Sequence, residues 1–278
     1  MAKTWLITGA SRGFGRELAE AVLASGDNLV ATARKTSTLD DLVAKYGSQI
    51  LPFTLDVTSV EQSTAAVAAA VETFGRLDVV VNNAGYANVN SIEDTDEADF
   101  HAQVDTNLWG VVNVTRAALP VLREQGSGHI IQFASIGGRT GAPGLGPYQL
   151  SKWAVEGFSE VLAKEVAPFG VQVTIVEPGG FRTDWAGDSM GIVENLHEAY
   201  APTVGYMAER LRESSGSQPG DPKRAAKILV DIANAPDAPL HLLLGSDALA
   251  IARGVLEERR REDEKWAAVT ESADFQKE

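Results

Sequence analysis

Short apolar runs alternate along this chain with longer stretches whose apolar residues recur every three or four positions, and that alternation restricts the fold more than any other feature. Trp5–Ile7, Asn28–Thr32, Ile50–Leu55, Val79–Val81, His129–Phe133 and Val171–Val176 read as strands, with a seventh in the apolar run after Pro239. Arg16–Ser25, Val60–Phe74 and Phe100–Gln125 read as helices. The second of these carries Val60, Ala65, Ala66, Val67, Ala70, Val71 and Phe74 behind a Thr58-Ser59 cap signal. Strands that are apolar on both faces, separated by helices, predict an α/β, doubly wound parallel sheet with helices on both sides. A mixed α+β fold with the same element count is the competing arrangement.

Composition narrows the class. Of 278 residues, 44% are apolar and 22% charged, enough to bury a sizeable core in one large domain or two small ones. No internal repeat or linker divides the chain, which favours a single domain over 1–278. A formal charge of −14 argues against a nucleic-acid partner, because phosphate backbones demand concentrated positive surface. With no cysteine, disulfides, thiolate nucleophiles and cysteine metal sites are excluded. No signal-peptide pattern and no apolar run of about 20 residues is present, so a cytoplasmic protein without a membrane span is expected. The four histidines, His101, His129, His197 and His241, lack metal-ligand spacing, and no metal site is expected.

Between the first strand and the first helix stands Thr8-Gly-Ala-Ser-Arg-Gly-Phe-Gly15. Small residues after a strand let a backbone approach a pyrophosphate, and a helix N-terminus aims its amides at the anion. A glycine-rich turn by itself is weak evidence, since a plain strand–helix connection can carry the same residues. A Walker A loop is excluded, because no Gly-Lys-Ser/Thr follows. About twenty residues on, where NAD-binding chains place a carboxylate for the ribose 2′-hydroxyl, this sequence has Ala33-Arg34 and no acid before Asp40. Arg34, together with Arg12 of the glycine loop, is suited to the extra phosphate of NADP, although either arginine alone reads as an ordinary surface residue. The expected cofactor is therefore NADP(H) ahead of NAD(H), in a Rossmann-type sheet of about seven strands.

Further motifs then arrive in a fixed order: Asp56-Val57, Asn82-Asn-Ala-Gly85, Asn107, Ser135, Tyr148-Gln-Leu-Ser-Lys152 and Pro178-Gly-Gly-Phe-Arg-Thr183. With TGASRGFG these resemble the short-chain dehydrogenase/reductase family in its compact single-domain branch. The match runs to about Asp184, some two-thirds of the chain. Tyr-x-x-x-Lys alone would mean little, and the ordered set is specific.

The resemblance implies an enzyme that interconverts a ketone or aldehyde and an alcohol by hydride transfer, with Asn107, Ser135, Tyr148 and Lys152 catalytic. Tyr148 would be the general acid, or the base in the reverse direction. A phenol titrates near 10, and a Lys152 ammonium four residues on would lower that value. Ser135 would steady the substrate oxygen and Asn107 would hold a relay water. Cofactor contacts would come from Gly9, Ser11, Arg12, Gly13, Phe14, Gly15, Arg34, Asp56, Val57, Asn83, Ala84, Gly85, Tyr148, Lys152, Pro178, Gly179, Phe181 and Thr183. Asp56 would bond the adenine amino group, Val57 would face the ring, and Thr183 would bond the carboxamide. Taken singly, Tyr148–Lys152 is a surface helix pair, Ser135 a cap and Asn107 a buried polar residue; Phe181 and Trp185 serve the core equally well.

The segment 186–222 occupies the position of the family's substrate lid. Its Met190, Ile192, Val193, Leu196, Tyr200, Tyr206, Met207 and Leu211, with Lys and Arg sparse before Arg210, suit a medium-sized, mainly apolar substrate, unless half of them simply hold the segment down. After Pro239–Ala248 an extension over 249–278, helical and bearing EERRREDEK at Glu257–Lys265, departs from the family's commonest bacterial members. It resembles the branch related to 17β-hydroxysteroid and retinol dehydrogenases. A homodimer or monomer is expected over a tetramer. Two alternatives stand beside the enzyme reading: a dinucleotide-sensing binding protein that lost the chemistry, and an NAD-preferring dehydrogenase.

Overall fold

In the computed structural model, residues 2–183, 190–192 and 196–275 are described. The chain runs β1 (Thr4–Ile7), α1 (Gly13–Ala24), β2 (Asn28–Ala33), α2 (Asp40–Tyr46), β3 (Ile50–Thr54), α3 (Val60–Phe74) and β4 (Val79–Asn82). It continues through β5 (Asn88–Val89), α4 (Glu97–Val104), α5 (Gly110–Gln125), β6 (Gly128–Phe133), α6 (Gly146–Val166) and β7 (Val171–Pro178). Beyond lie β8 (Gly191–Ile192), α7 (Tyr206–Ser214), α8 (Pro222–Ala233), β9 (His241–Leu244) and α9 (Ser246–Glu271).

Among the described residues seven strands form one parallel sheet in the order β3-β2-β1-β4-β6-β7-β9. Successive strand side chains alternate between faces, so each strand feeds two cores. Trp5, Ile7, Leu29, Ala31, Val79 and Val81 pack with α1 and α8 on one face. Leu6, Val30, Val80 and Ile130 pack with α3, α5 and α6 on the other. This is the Rossmann-type, doubly wound α/β sheet that the apolar runs predict. The cap at Ser59 is present, its Oγ accepting from Gln62 N at 3.1 Å, and Gly75 ends α3 in the left-handed region.

The expected helix over Phe100–Gln125 needs correction. α4 stops at Val104, Asp105–Trp109 forms a π-helical turn, and α5 begins at Gly110. A π turn adds one residue without disturbing the three-to-four spacing enough to show in a sequence, and such turns gather at functional sites. The C-terminal helix starts at Ser246, three residues before the expected boundary. In the segment 186–222, β8 pairs with β5, and Met190, Val204 and Ala208 pack with Val89, Leu145 and Tyr148. Trp185 and Val193 lie outside the described residues. No helix among the described residues is long and apolar enough to cross a membrane.

Candidate active site

After β3 the chain crosses back over β1 to lay down β4, so connections leave β1 and β4 in opposite directions. A crevice opens at such a switch point, at the carboxyl ends of the strands. A cavity of about 900 Å³ occupies it, reaching from Arg34 and Asp56 past the glycine loop to Tyr148 and the segment around Leu211 and Gln218.

The glycine loop forms the floor. Gly9 takes φ +66°, a conformation that suits glycine, and a Cβ on Gly15 would lie 2.2 Å from Gly9 O. The loop is braced from β4: Asn83 Nδ2 donates to Thr8 O (2.9 Å) and Gly9 O (3.1 Å), while Thr8 Oγ1 accepts from Asn83 N and Ala84 N. Arg12 precedes α1 without capping it, leaving the first-turn amides of α1 for an anion. At the far end, Arg12 and Arg34 are exposed at the cavity rim. Asp56 Oδ1 accepts from Thr58 N (3.0 Å) and Thr58 Oγ1 (2.7 Å). Those bonds, with the nearby Arg34 charge, hold its carboxyl below the usual range.

At the other end, Pro147 in the first turn of α6 and the helical spacing beyond it put Tyr148 and Lys152 on one buried face. Ser135 caps the turn after β6, its Oγ accepting from Gly137 N at 3.0 Å, and a hydrogen bond joins it to Tyr148. Lys152 Nζ donates to Phe133 O at 2.6 Å and lies 5.6 Å from the centre of the Tyr148 ring. Burial pushes the Tyr148 phenol up to about 12, and the Ser135 bond pulls the other way. Burial pushes Lys152 down to about 8. The phenol is thus raised where the Lys152 charge was expected to lower it, because burial disfavours its charged form.

Asn107 sits in the π turn, fully buried, with both side-chain atoms engaged by one residue: Tyr86 N donates to Oδ1 (2.9 Å) and Nδ2 donates to Tyr86 O (2.8 Å). A Cβ on Gly85 would lie 2.7 Å from that Oδ1. The Asn107 side chain is therefore a strut beneath the Gly85–Tyr86 wall. Asn82 is a strut as well, its Nδ2 donating to Thr115 Oγ1 (3.0 Å) and Gln132 Oε1 (2.8 Å).

Behind Lys152 lies a group that no motif announces. Arg139 pairs with the fully buried Glu177 of β7, and His241 Nδ1 stands 3.1 Å from Glu177 and 3.5 Å from Glu156. Burial, and the Glu177 charge after it, push Glu156 up to about 8. Glu156, Glu177 and His241 could together face a cation, and the Arg139 guanidinium already serves Glu177 there.

Of the residues expected at the site, all but Gly15 and Asn107 line the cavity, and those two lie directly behind its wall. Phe14 and Phe181 meet at 4.8 Å between ring centres, and Thr183 stands over Gly13. Sequence reasoning missed Thr58, whose Asp-x-Thr spacing was legible, and Phe133, whose carbonyl accepts from Lys152 and whose ring packs on Phe14. It also missed Tyr86, Ser214 and Gln218 on the cavity wall.

The family model for short chain dehydrogenases matches residues 3–190. The chain is 53% identical over 267 residues to oxidoreductase BOA17 of Botryotinia fuckeliana (strain B05.10), covering 96% of this chain and 97% of that protein. It resembles the crystal structure of a short-chain dehydrogenase from Streptomyces avermitilis with a TM-score of 0.92 and 42% identity, over 99% of this chain and 100% of that one. A short-chain dehydrogenase/reductase from Burkholderia phymatum, solved in complex with NAD, superposes with a TM-score of 0.81 and 25% identity, covering 96% and 95% of the two chains.

Proposed function

The chain belongs to the short-chain dehydrogenase family and is an oxidoreductase of that type, and from this premise we propose that it interconverts a ketone or aldehyde and an alcohol with NADP(H). The observation that carries the reading is one cavity with Tyr148, Ser135 and Lys152 at one end and Arg12 and Arg34 at the other.

The cradle suits a dinucleotide: a Cβ on Gly9 would lie 3.1 Å from Ala84 Cα, and the first-turn amides of α1 carry no side-chain cap. Gly9–Gly13 and α1 would hold the pyrophosphate, Asp56 and Val57 the adenine, and Pro178–Thr183 the nicotinamide end. When bound, the cofactor supplies or accepts the hydride. The Burkholderia phymatum relative was solved with NAD, so the cradle alone does not select NADP; the pairing of Arg34 with Arg12, where an acid is missing, supports that preference.

Tyr148 donates its proton to the carbonyl oxygen, and Ser135 holds that oxygen as charge gathers on it. A phenol pushed up to about 12 stays protonated at neutral pH, which suits donation. Lys152, fixed by Phe133 O, keeps a positive charge beside the phenolate left behind. The apolar contacts of Met190, Val204, Ala208 and Leu211 beside Tyr148 support a medium-sized, mainly apolar substrate covered by the 186–222 segment. We place this catalysis in one domain spanning the chain, in a cytoplasmic homodimer or monomer.

Absorbance at the reduced-nicotinamide band, read with a panel of aryl and alicyclic ketones, tests the reading. Tyr148→Phe is expected to lower kcat by about two to four orders of magnitude. Turnover that survives the substitution overturns the mechanism. NADP is expected to bind more tightly than NAD, and Arg34→Asp to reverse the order; tighter NAD binding by the native protein overturns the cofactor assignment.

A further inference from the structure

The turn after β7 is held from an unexpected direction. Gly179 N donates to Leu244 O at 2.9 Å, tying the turn to the end of β9. The next amide, Gly180 N, donates to Asp247 Oδ2 at 2.6 Å, across 67 residues of sequence. Asp247 stands in the first turn of α9, where the helix dipole favours a carboxylate. Gly245, at φ +103°, turns the chain out of β9 so that the carboxylate folds back beneath the site. The fit is close: a Cβ on Gly179 would lie 2.4 Å from both carboxylate oxygens.

Asp247 does not line the cavity, whereas Pro178, Gly179, Gly180, Phe181 and Thr183 all do. In a trans peptide the N–H of one residue and the carbonyl of the residue before it point in opposite directions. With the Gly180 N–H committed to Asp247, the Gly179 carbonyl must face away from α9. A flip of that peptide, open to a Gly-Gly pair, would set the carbonyl oxygen against the carboxylate and is opposed by repulsion.

We propose that Asp247 is a positioning residue for the nicotinamide end of the cofactor, fixing the Gly179–Gly180 peptide that forms that wall of the site. The proposal rests on the dinucleotide reading above and adds the C-terminal helix to the working parts of the site. Asp247 acts only through the backbone and touches neither cofactor nor substrate. Replacing it should therefore disturb one end of the cofactor and spare the other.

Asp247→Asn tests this, because its amide keeps the shape but gives a flipped carbonyl a donor. Kd is measured for NADPH and for 2′-phospho-ADP-ribose, which has the adenine end and lacks nicotinamide, with kcat, KM for a ketone substrate and Tm alongside. The expected result is a Kd for NADPH raised about tenfold and kcat lowered at least tenfold. Kd for the fragment should stay within about twofold, and Tm within a few degrees. Equal weakening of both ligands, or of neither, overturns the proposal. Asp247→Ser, too short to reach Gly180, gives the same readout if the first variant fails to fold. A native protein that binds neither NADPH nor the fragment contradicts the NADP assignment instead; the pair NADH and ADP-ribose then carries the same comparison.

Discussion

The glycine loop after β1 and the Pro178–Thr183 turn after β7 both leave the sheet at its carboxyl edge and line one cavity, yet they are held in different ways. The first is braced from within its own motifs in one direction: Asn83 donates to Thr8 through both its backbone N and its Nδ2, across two adjacent strands. The second is tied to partners that no motif contains. Asp247 reaches back from α9, and Arg182 Nε donates to Gln218 O at 2.8 Å. Glu177, one residue before the end of the strand leading to it, pairs with Arg139 of yet another turn. A site that binds one continuous ligand thus has a self-contained end and an end assembled from distant parts of the chain.

The largest effect is expected where the self-contained end is broken at its tightest point. Gly15→Ala places a methyl 2.2 Å from Gly9 O, against backbone that has no flexible group to yield. Dinucleotide binding should fall below detection in titration calorimetry, and retention within tenfold would show that the loop relaxes. Asn83→Asp comes next, because a carboxylate would face the Thr8 and Gly9 carbonyls that the amide now serves. Its Kd for the dinucleotide should rise about tenfold to a hundredfold, and Asn83→Ala should cost less.

The assembled end is broken through charge. Glu156 is held up to about 8, so the folded state keeps a proton there that the unfolded chain releases near the ordinary value of 4.5. Stability from this group is complete below about 4.5 and is lost as pH rises towards 8. Glu156→Gln should flatten the decline of Tm between pH 5 and 8, and an unchanged slope would remove Glu156 as its source. The smallest effect is expected from Arg182→Ala, which among the described residues frees the Gln218 contact: KM for the carbonyl substrate should rise a few-fold with kcat preserved. A larger loss in kcat than in KM would mean that this brace reaches the chemistry.

The same contrast explains what could be read in the amino-acid sequence. The sheet, Tyr148–Lys152 and the glycine cradle were legible because each is local: a period of two or four, or a turn completed within eight residues. Asn107 was legible as a position and not as a device, since its bonds to Tyr86 depend on a π turn that leaves the apolar period intact. The raised phenol of Tyr148 was hidden for another reason. Spacing reveals a neighbouring charge, whereas desolvation depends on everything packed around the pair. Asp247, Arg139 and Glu177 carry no local signature, because their partners are fixed only once β7, β9 and α9 are assembled.

From Glu258 to the last described residue, Phe275, every side chain of α9 and its tail is exposed, while Ala248 and Ala252 near its start are buried. The distal fourteen residues of the helix form a rod of about 21 Å, held by pairs such as Arg261 to Glu257 rather than by a core. Near its start it is tied to the body by Arg259, which donates to Arg139 O at 2.9 Å. A rod of that length is marginal by itself. It therefore makes a natural handle: a surface linkage or reporter attached there would be separated from the cofactor cradle by a stretch of chain able to unwind, and strain applied at the handle should dissipate before it reaches Asp247.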